Sequence, residues 1–130
     1  MDVDRRKVES LTAGQSYIPD VPDDDVAPHV KTGRLTATSD YDVLGEVDAI
    51  FICVPTPSLP GGQCDTGIVE DLVARANPRV AIVCNSTVAI TTTERLIHTY
   101  QKPLVFVPEY AGESTDHPYR DPSNRRFFIF

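Results

Sequence analysis

The stretch Asp48-Ala49-Ile50-Phe51-Ile52-Cys53-Val54-Pro55-Thr56-Pro57 decides the fold. Five apolar residues, Ile50 to Val54, run unbroken from an acidic start to two prolines that bracket a threonine. An apolar run of that length, closed by turn residues, predicts a strand buried on both faces of a parallel sheet. In such sheets ligands bind in the crevice beyond the carboxyl ends of the strands. Pro55-Thr56-Pro57 is therefore expected at the lip of a binding site.

Two further runs end the same way. Val80 to Cys84 leads into Asn85-Ser86-Thr87, and Leu104 to Val107 leads into Pro108-Glu109. Between the runs lie helical patterns. Ile68 to Ala76 carries apolar residues at 68, 69, 72, 73 and 76, the spacing of one helix face. Thr91-Thr92-Thr93 opens a second helix with Leu96 and Ile97. Towards the N-terminus, Met1 to Asp4 reads as the tail of a strand. Asp4 caps a helix carrying Val8 and Leu11 and ended by Gly14. Asp23 or Asp24 caps another, through Val26 and Val30 to Gly33. Leu35 to Thr38 reads as a short strand, and Ser39 or Asp40 starts a brief helix to Leu44. Tyr110 to Asn124 reads as irregular and Arg126 to Phe130 as a last strand. Alternating strands and helices predict an α/β fold with a parallel sheet.

The 130 residues suit one domain or most of one. Net charge is −7, from 12 basic and 19 acidic residues, and no long Lys/Arg run interrupts that balance. This argues against a nucleic-acid partner. There is no apolar run of ~18 residues to cross a membrane. The Asp-Val-Asp-Arg-Arg-Lys start lacks the apolar core of a signal peptide. Cys53 and Cys84 fall in apolar runs, Cys64 lies in a Gly-rich loop, and no Cys-x-x-Cys spacing suggests zinc. A reducing, cytoplasmic setting is expected. The run Asp23-Asp24-Asp25 reads as helix capping rather than a metal site. His29, His98 and His117 are scattered and read as surface or structural residues.

A dinucleotide fold needs a Gly-rich turn and, about 20 residues later, an acid for the adenosine ribose. The Gly-rich turn is absent here, but Asp2 stands at a strand end, where an acid serves either as a ribose ligand or as a helix cap. Lys7 follows at a position to meet the ribose or pyrophosphate.

The motifs occur in an order that resembles the NAD-binding N-terminal domain of the UDP-glucose/GDP-mannose dehydrogenase family. The matching pieces are Asp2-Val3-Asp4 with Lys7 to Leu11 and Gly14, and Gly33-Arg34-Leu35 through Tyr41. Asp48 to Pro57 with Gly62 and Asp65 comes next. Ser86-Thr87-Val88 with Thr92-Thr93-Glu94 follows, then Pro108-Glu109-Tyr110 with Glu113. The resemblance implies a Rossmann-type parallel sheet without its first strand and Gly-rich turn. It makes residues 1–130 a partial NAD-binding domain with no second domain in the chain.

By the same resemblance the protein is an NAD-dependent oxidoreductase acting on CH–OH groups. Its substrate is a nucleotide sugar, its type reaction the oxidation of UDP-glucose to UDP-glucuronate in two steps from alcohol to acid. Asp2 and Lys7 are expected at the cofactor. Val54, Pro55, Thr56, Pro57 and Ser58, with Ser86, Thr87 and Val88, are expected to line its channel. Glu113 is expected there too. Glu109 and Thr87 are the expected catalytic residues, the carboxylate steering protons and the hydroxyl holding a water. Glu109, Tyr110, Ala111, Gly112 and Glu113 are expected at the substrate. No metal is implied. The family's products feed polysaccharide biosynthesis, and its full-length members form homo-oligomers.

The departures are specific. Cys53, Cys64 and Cys84 do not match the family's nucleophilic cysteine, so the chain alone is expected to be inactive. Ala111-Gly112 replaces a bulkier pair, leaving the sugar open among UDP-glucose, UDP-N-acetyl-mannosamine and GDP-mannose. Ala89-Ile90-Thr91 replaces a Pro-rich, Gly-containing turn. The competing expectation is a non-catalytic remnant that acts as a binding or interaction module.

Overall fold

The computed structural model describes residues 1–108, and the chain divides into two compact units, Met1–Tyr41 and the part from Asp42 on. In the first unit, helix α1 spans Arg5–Thr12. Asp4 caps it as its sequence suggests, its carboxylate accepting the Arg6 N–H at 3.0 Å. The chain leaves α1 through Gly14 at φ +76°. A Cβ there would lie 3.2 Å from Ala27 in helix α2, Asp23–Lys31, so glycine serves both the turn and the close approach. No side chain caps α2; Pro22 occupies its N-cap position, and Asp23 instead accepts the Ser16 N–H at 2.7 Å. The three acids still stand in the first turn of α2, where the helix dipole favours them.

The strands expected at Met1–Asp4 and Leu35–Thr38 are not formed. One backbone bond joins these segments, Asp2 N–H to Thr38 C=O at 3.0 Å, and a single bond is not a ladder.

A 3-10 turn at Tyr41–Gly45 begins on the last residue of the first unit and leads, in the second, to β1 (Ala49–Ile52). Helix α3 (Gly67–Arg75), strand β2 (Ala81–Cys84), helix α4 (Thr92–Tyr100) and strand β3 (Leu104–Phe106) follow. The sheet is parallel with order β1-β2-β3, Ile52 facing Cys84 and Cys84 facing Phe106. Among the described strands the central one is therefore β2. Helices α3 and α4 pack on each other, and α4 packs on β3. Val69, Leu72, Val73 and Ala76 are all buried, the i, i+3, i+4, i+7 stripe of a core-facing helix.

One expectation fails in a useful way. Strand β1 alternates: Ile50 and Ile52 are buried, while Phe51 is 67% exposed. The sheet is covered on one face among the described residues. An unbroken apolar run shows that both faces tolerate burial, not that both are covered.

Lys102, just before β3, is only 9% exposed. Its ammonium donates to Val73 C=O and Ala74 C=O, both at 2.6 Å. It thereby satisfies carbonyls in the last turn of α3 that have no partner within the helix. Burial lowers its pKa from the ordinary value.

Candidate functional site

The carboxyl edge of the sheet is built by bonds that reach across long stretches of sequence. Strand β1 stops at Ile52, but the chain stays in place to Val54 because Ser86 holds it. The Ser86 hydroxyl accepts the Val54 N–H at 2.8 Å and donates to Val54 C=O, also at 2.8 Å. Ser86 is 6% exposed. Two residues on, the Thr56 hydroxyl donates to Thr87 C=O at 2.6 Å. The Cys64 thiol lies against the same two loops, 3.6 Å from Thr56 C=O and 3.5 Å from Thr87 C=O. Asn85 ties the remaining strand: its backbone N–H donates to Ile52 C=O at 2.9 Å and its amide to Val107 C=O at 2.8 Å.

Thr56 and Thr87, expected at one edge, are thus brought together. Pro55, Pro57, Ser58 and Thr87 are exposed, whereas Val54, Thr56 and Val88 are half-buried. The Thr87 hydroxyl has no protein partner among the described residues and is available to a ligand or a water.

Between these loops opens a cleft of about 730 Å³, lined by Thr56, Ser58, Cys64, Thr87, Val88 and Arg95 among others. Its near wall is a tight loop. Ser58 and Cys64 form an antiparallel bridge, and Leu59 N–H donates to Gln63 C=O at 2.7 Å. Gly61 and Gly62 turn the loop at φ +95° and +80°, the left-handed region glycine enters readily. On the far wall Arg95 donates to Glu70 at 2.6 Å, and Thr66 donates to the same carboxylate oxygen at 2.6 Å. The Arg95 guanidinium, and after it the Thr66 hydroxyl, hold the Glu70 carboxyl below its ordinary pKa. Sequence reading missed Arg95 and Cys64 as lining residues. The available signal was Arg95 one turn into a helix that begins at the strand-end loop.

In the first unit, Asp2 is half-buried. Its carboxylate accepts the Asp4 N–H at 2.9 Å, and the Lys7 ammonium lies 3.7 Å from the other oxygen. Lys7 also sits 5.1 Å from the centroid of the Tyr17 ring. The two expected cofactor residues are neighbours. Glu109, Tyr110, Ala111, Gly112 and Glu113 lie outside the described residues, as does the strand expected at Arg126–Phe130. Among the described residues no group of three or more His, Cys, Asp or Glu side chains could hold a metal, and no helix is long and apolar enough to cross a membrane.

A parallel α/β sheet with hydroxyl-bearing, proline-bracketed loops at its carboxyl edge is the framework of a nucleotide-binding domain. The comparisons narrow that class: the UDP-glucose/GDP-mannose dehydrogenase family's NAD binding domain matches residues 1–115, and the chain belongs to that family. It is 33% identical over 104 residues to the UDP-glucose 6-dehydrogenase AglM of Haloferax volcanii, covering 75% of this chain and 24% of that protein. Its fold matches a GDP-mannose dehydrogenase from Pseudomonas aeruginosa, solved as a ternary complex. The TM-score is 0.73 at 26% identity, over 88% of this chain and 31% of that one. A UDP-glucose dehydrogenase from Pyrobaculum islandicum gives a TM-score of 0.72 at 26% identity, over 85% and 30%. The chain thus spans under a third of the length of these relatives.

Proposed function

We propose that this chain is the NAD-binding part of a nucleotide-sugar 6-dehydrogenase of the UDP-glucose to UDP-glucuronate type. The observation that carries the reading is the cross-bonded pair of loops Val54–Ser58 and Ser86–Val88, at a strand-end cleft, in a chain whose family domain binds NAD. NAD, when bound, supplies the hydride acceptor for oxidation of the sugar's primary alcohol and then of the aldehyde. Residues within each unit, taken separately, suit such a ligand. Asp2 keeps carboxylate lone pairs for the adenosine ribose hydroxyls, and Lys7 adds a cation beside them. Val54, Pro55, Thr56, Pro57 and Ser58 line the channel, with Val88 and Thr87 opposite. Thr87 offers a hydroxyl with no partner among the described residues to position a water. Glu113 belongs at the cofactor in this reading. Glu109 steers proton transfers at the reacting carbon, with Tyr110, Ala111, Gly112 and Glu113 beside the sugar.

UDP-glucose is favoured over GDP-mannose by the 33% identity to a UDP-glucose 6-dehydrogenase, against 28% to a GDP-mannose 6-dehydrogenase. The whole protein is proposed to be a cytoplasmic homo-oligomer serving polysaccharide biosynthesis. The 130-residue chain by itself is proposed to be inactive, because none of its cysteines stands at the family's nucleophile position. The purified chain, given NAD and UDP-glucose, should form no NADH above a no-enzyme control. NADH formation above that control would overturn the assignment of the chemistry to residues outside this chain.

A further inference from the structure

We infer that Ser86 is a positioning residue for the cofactor rather than one of its ligands. The inference rests on the reading of this crevice as an NAD site and assigns the hydroxyl a different job within it. A serine hydroxyl has one proton and two lone pairs. Here the proton goes to Val54 C=O and a lone pair takes Val54 N–H, so both peptide groups of one residue are gripped by a single side chain. The oxygen of Ile52 stands a further 3.3 Å away. The residue is 6% exposed and is not among those that line the cleft.

What Ser86 does instead is replace a ladder. Strand pairing between β1 and β2 ends at Ile52–Cys84, and Pro55 has no N–H with which to continue it. Without the hydroxyl, half-buried Val54 would be left with an unpaired N–H and C=O, and the loop carrying Thr56 would lose its anchor. Thr56 reaches Thr87 C=O from that anchor. Ser86 therefore sets the separation of the two cleft walls through Val54.

The test is calorimetric titration of the chain with NAD and, separately, with ADP, which keeps the diphosphate and the adenosine that Asp2 would read but lacks the nicotinamide riboside. Ser86→Ala should weaken NAD roughly tenfold, the scale of an unsatisfied buried donor, and change ADP affinity less than twofold. Ser86→Thr, which restores the hydroxyl, should recover most of the NAD affinity. Should Ser86→Ala not fold by circular dichroism, Ser86→Cys, a similar shape with a weak donor, carries the same comparison. Wild-type NAD affinity in the variant lacking the hydroxyl would overturn the inference. So would equal weakening of NAD and ADP, which would mark a general stability effect. If the wild-type chain itself binds no NAD, the underlying reading fails instead.

Discussion

The two units hold their polar groups by opposite means. In Met1–Tyr41, the Asp2 carboxylate is oriented by neighbours two and five residues away, Asp4 N–H and the Lys7 ammonium, beside a helix with no buried residue; only its backbone N–H reaches further, to Thr38 C=O. In the second unit, Thr56, Ser86 and Asn85 are held by partners 31, 32 and 22 residues away, above a core that includes Ile52, Val69, Val73, Ile82 and Leu96. The first arrangement can survive local fraying. The second exists only while the sheet is intact, so cleft geometry and sheet stability are one property.

The largest effect that would break this contrast is a core deletion. Ile52→Ala, at a site 1% exposed, should cost about 2–5 kcal/mol. In amide exchange, the loss should spread over β1, β2 and β3 and over Val54. Leu11→Ala, on the half-buried face of α1, should cost roughly 1 kcal/mol and leave the β2 amides protected. Equal loss in both variants would dissolve the distinction between the units.

A smaller effect sharpens it. Thr91 sits at φ 72°, a β-branched residue in the left-handed region, at the start of α4 beside the cleft. Thr91→Gly should raise stability in urea denaturation by about 1 kcal/mol. A destabilised Thr91→Gly protein would show that the strain is compensated by contacts of the side chain.

The smallest effect concerns acid. Glu70 joins α3 to α4 through Arg95 at the cleft wall, and its folded-state pKa lies below the ordinary 4.5. Its contribution is complete above that value and is lost as pH falls through the folded value. Because the pair is partly exposed, the contribution is modest. Melting temperatures of Glu70→Gln and wild type should converge on acidification and differ slightly at neutral pH. A constant offset at all pH values would mean that the ion pair contributes nothing to the pH dependence.

Much of this architecture was legible in the residues. Ile50 to Val54, Val80 to Cys84 and Leu104 to Val107 announce three strands because each apolar run stops at turn or hydroxyl residues. Their order then places Thr56 and Thr87 at one edge. What the runs do not encode is which face is covered, so Phe51's exposure was hidden. Nor does a serine after a strand reveal a partner 32 residues earlier. Ser86 was legible as a hydroxyl at a strand end but not as the partner of Val54. Lys102 reads as an exposed charge until α3 supplies carbonyls for it. Thr91 did leave a signal: Ala89-Ile90-Thr91 stands where the resemblance puts a Gly-containing turn, and Thr91 takes a left-handed backbone that glycine enters readily. Short segments such as Leu35–Thr38 have strand composition, but strand character depends on a partner the composition cannot name.

The central claim is that this chain holds a dinucleotide, with its adenosine end read by Asp2. Calorimetric titration of the wild-type and Asp2→Ala chains with NAD tests it most directly. Saturable binding by the wild type, weakened by roughly 1.5–3 kcal/mol in Asp2→Ala as expected for hydrogen bonds to a charged group, is the predicted result. Absence of NAD binding by the wild type, or the same affinity in both proteins, would contradict it.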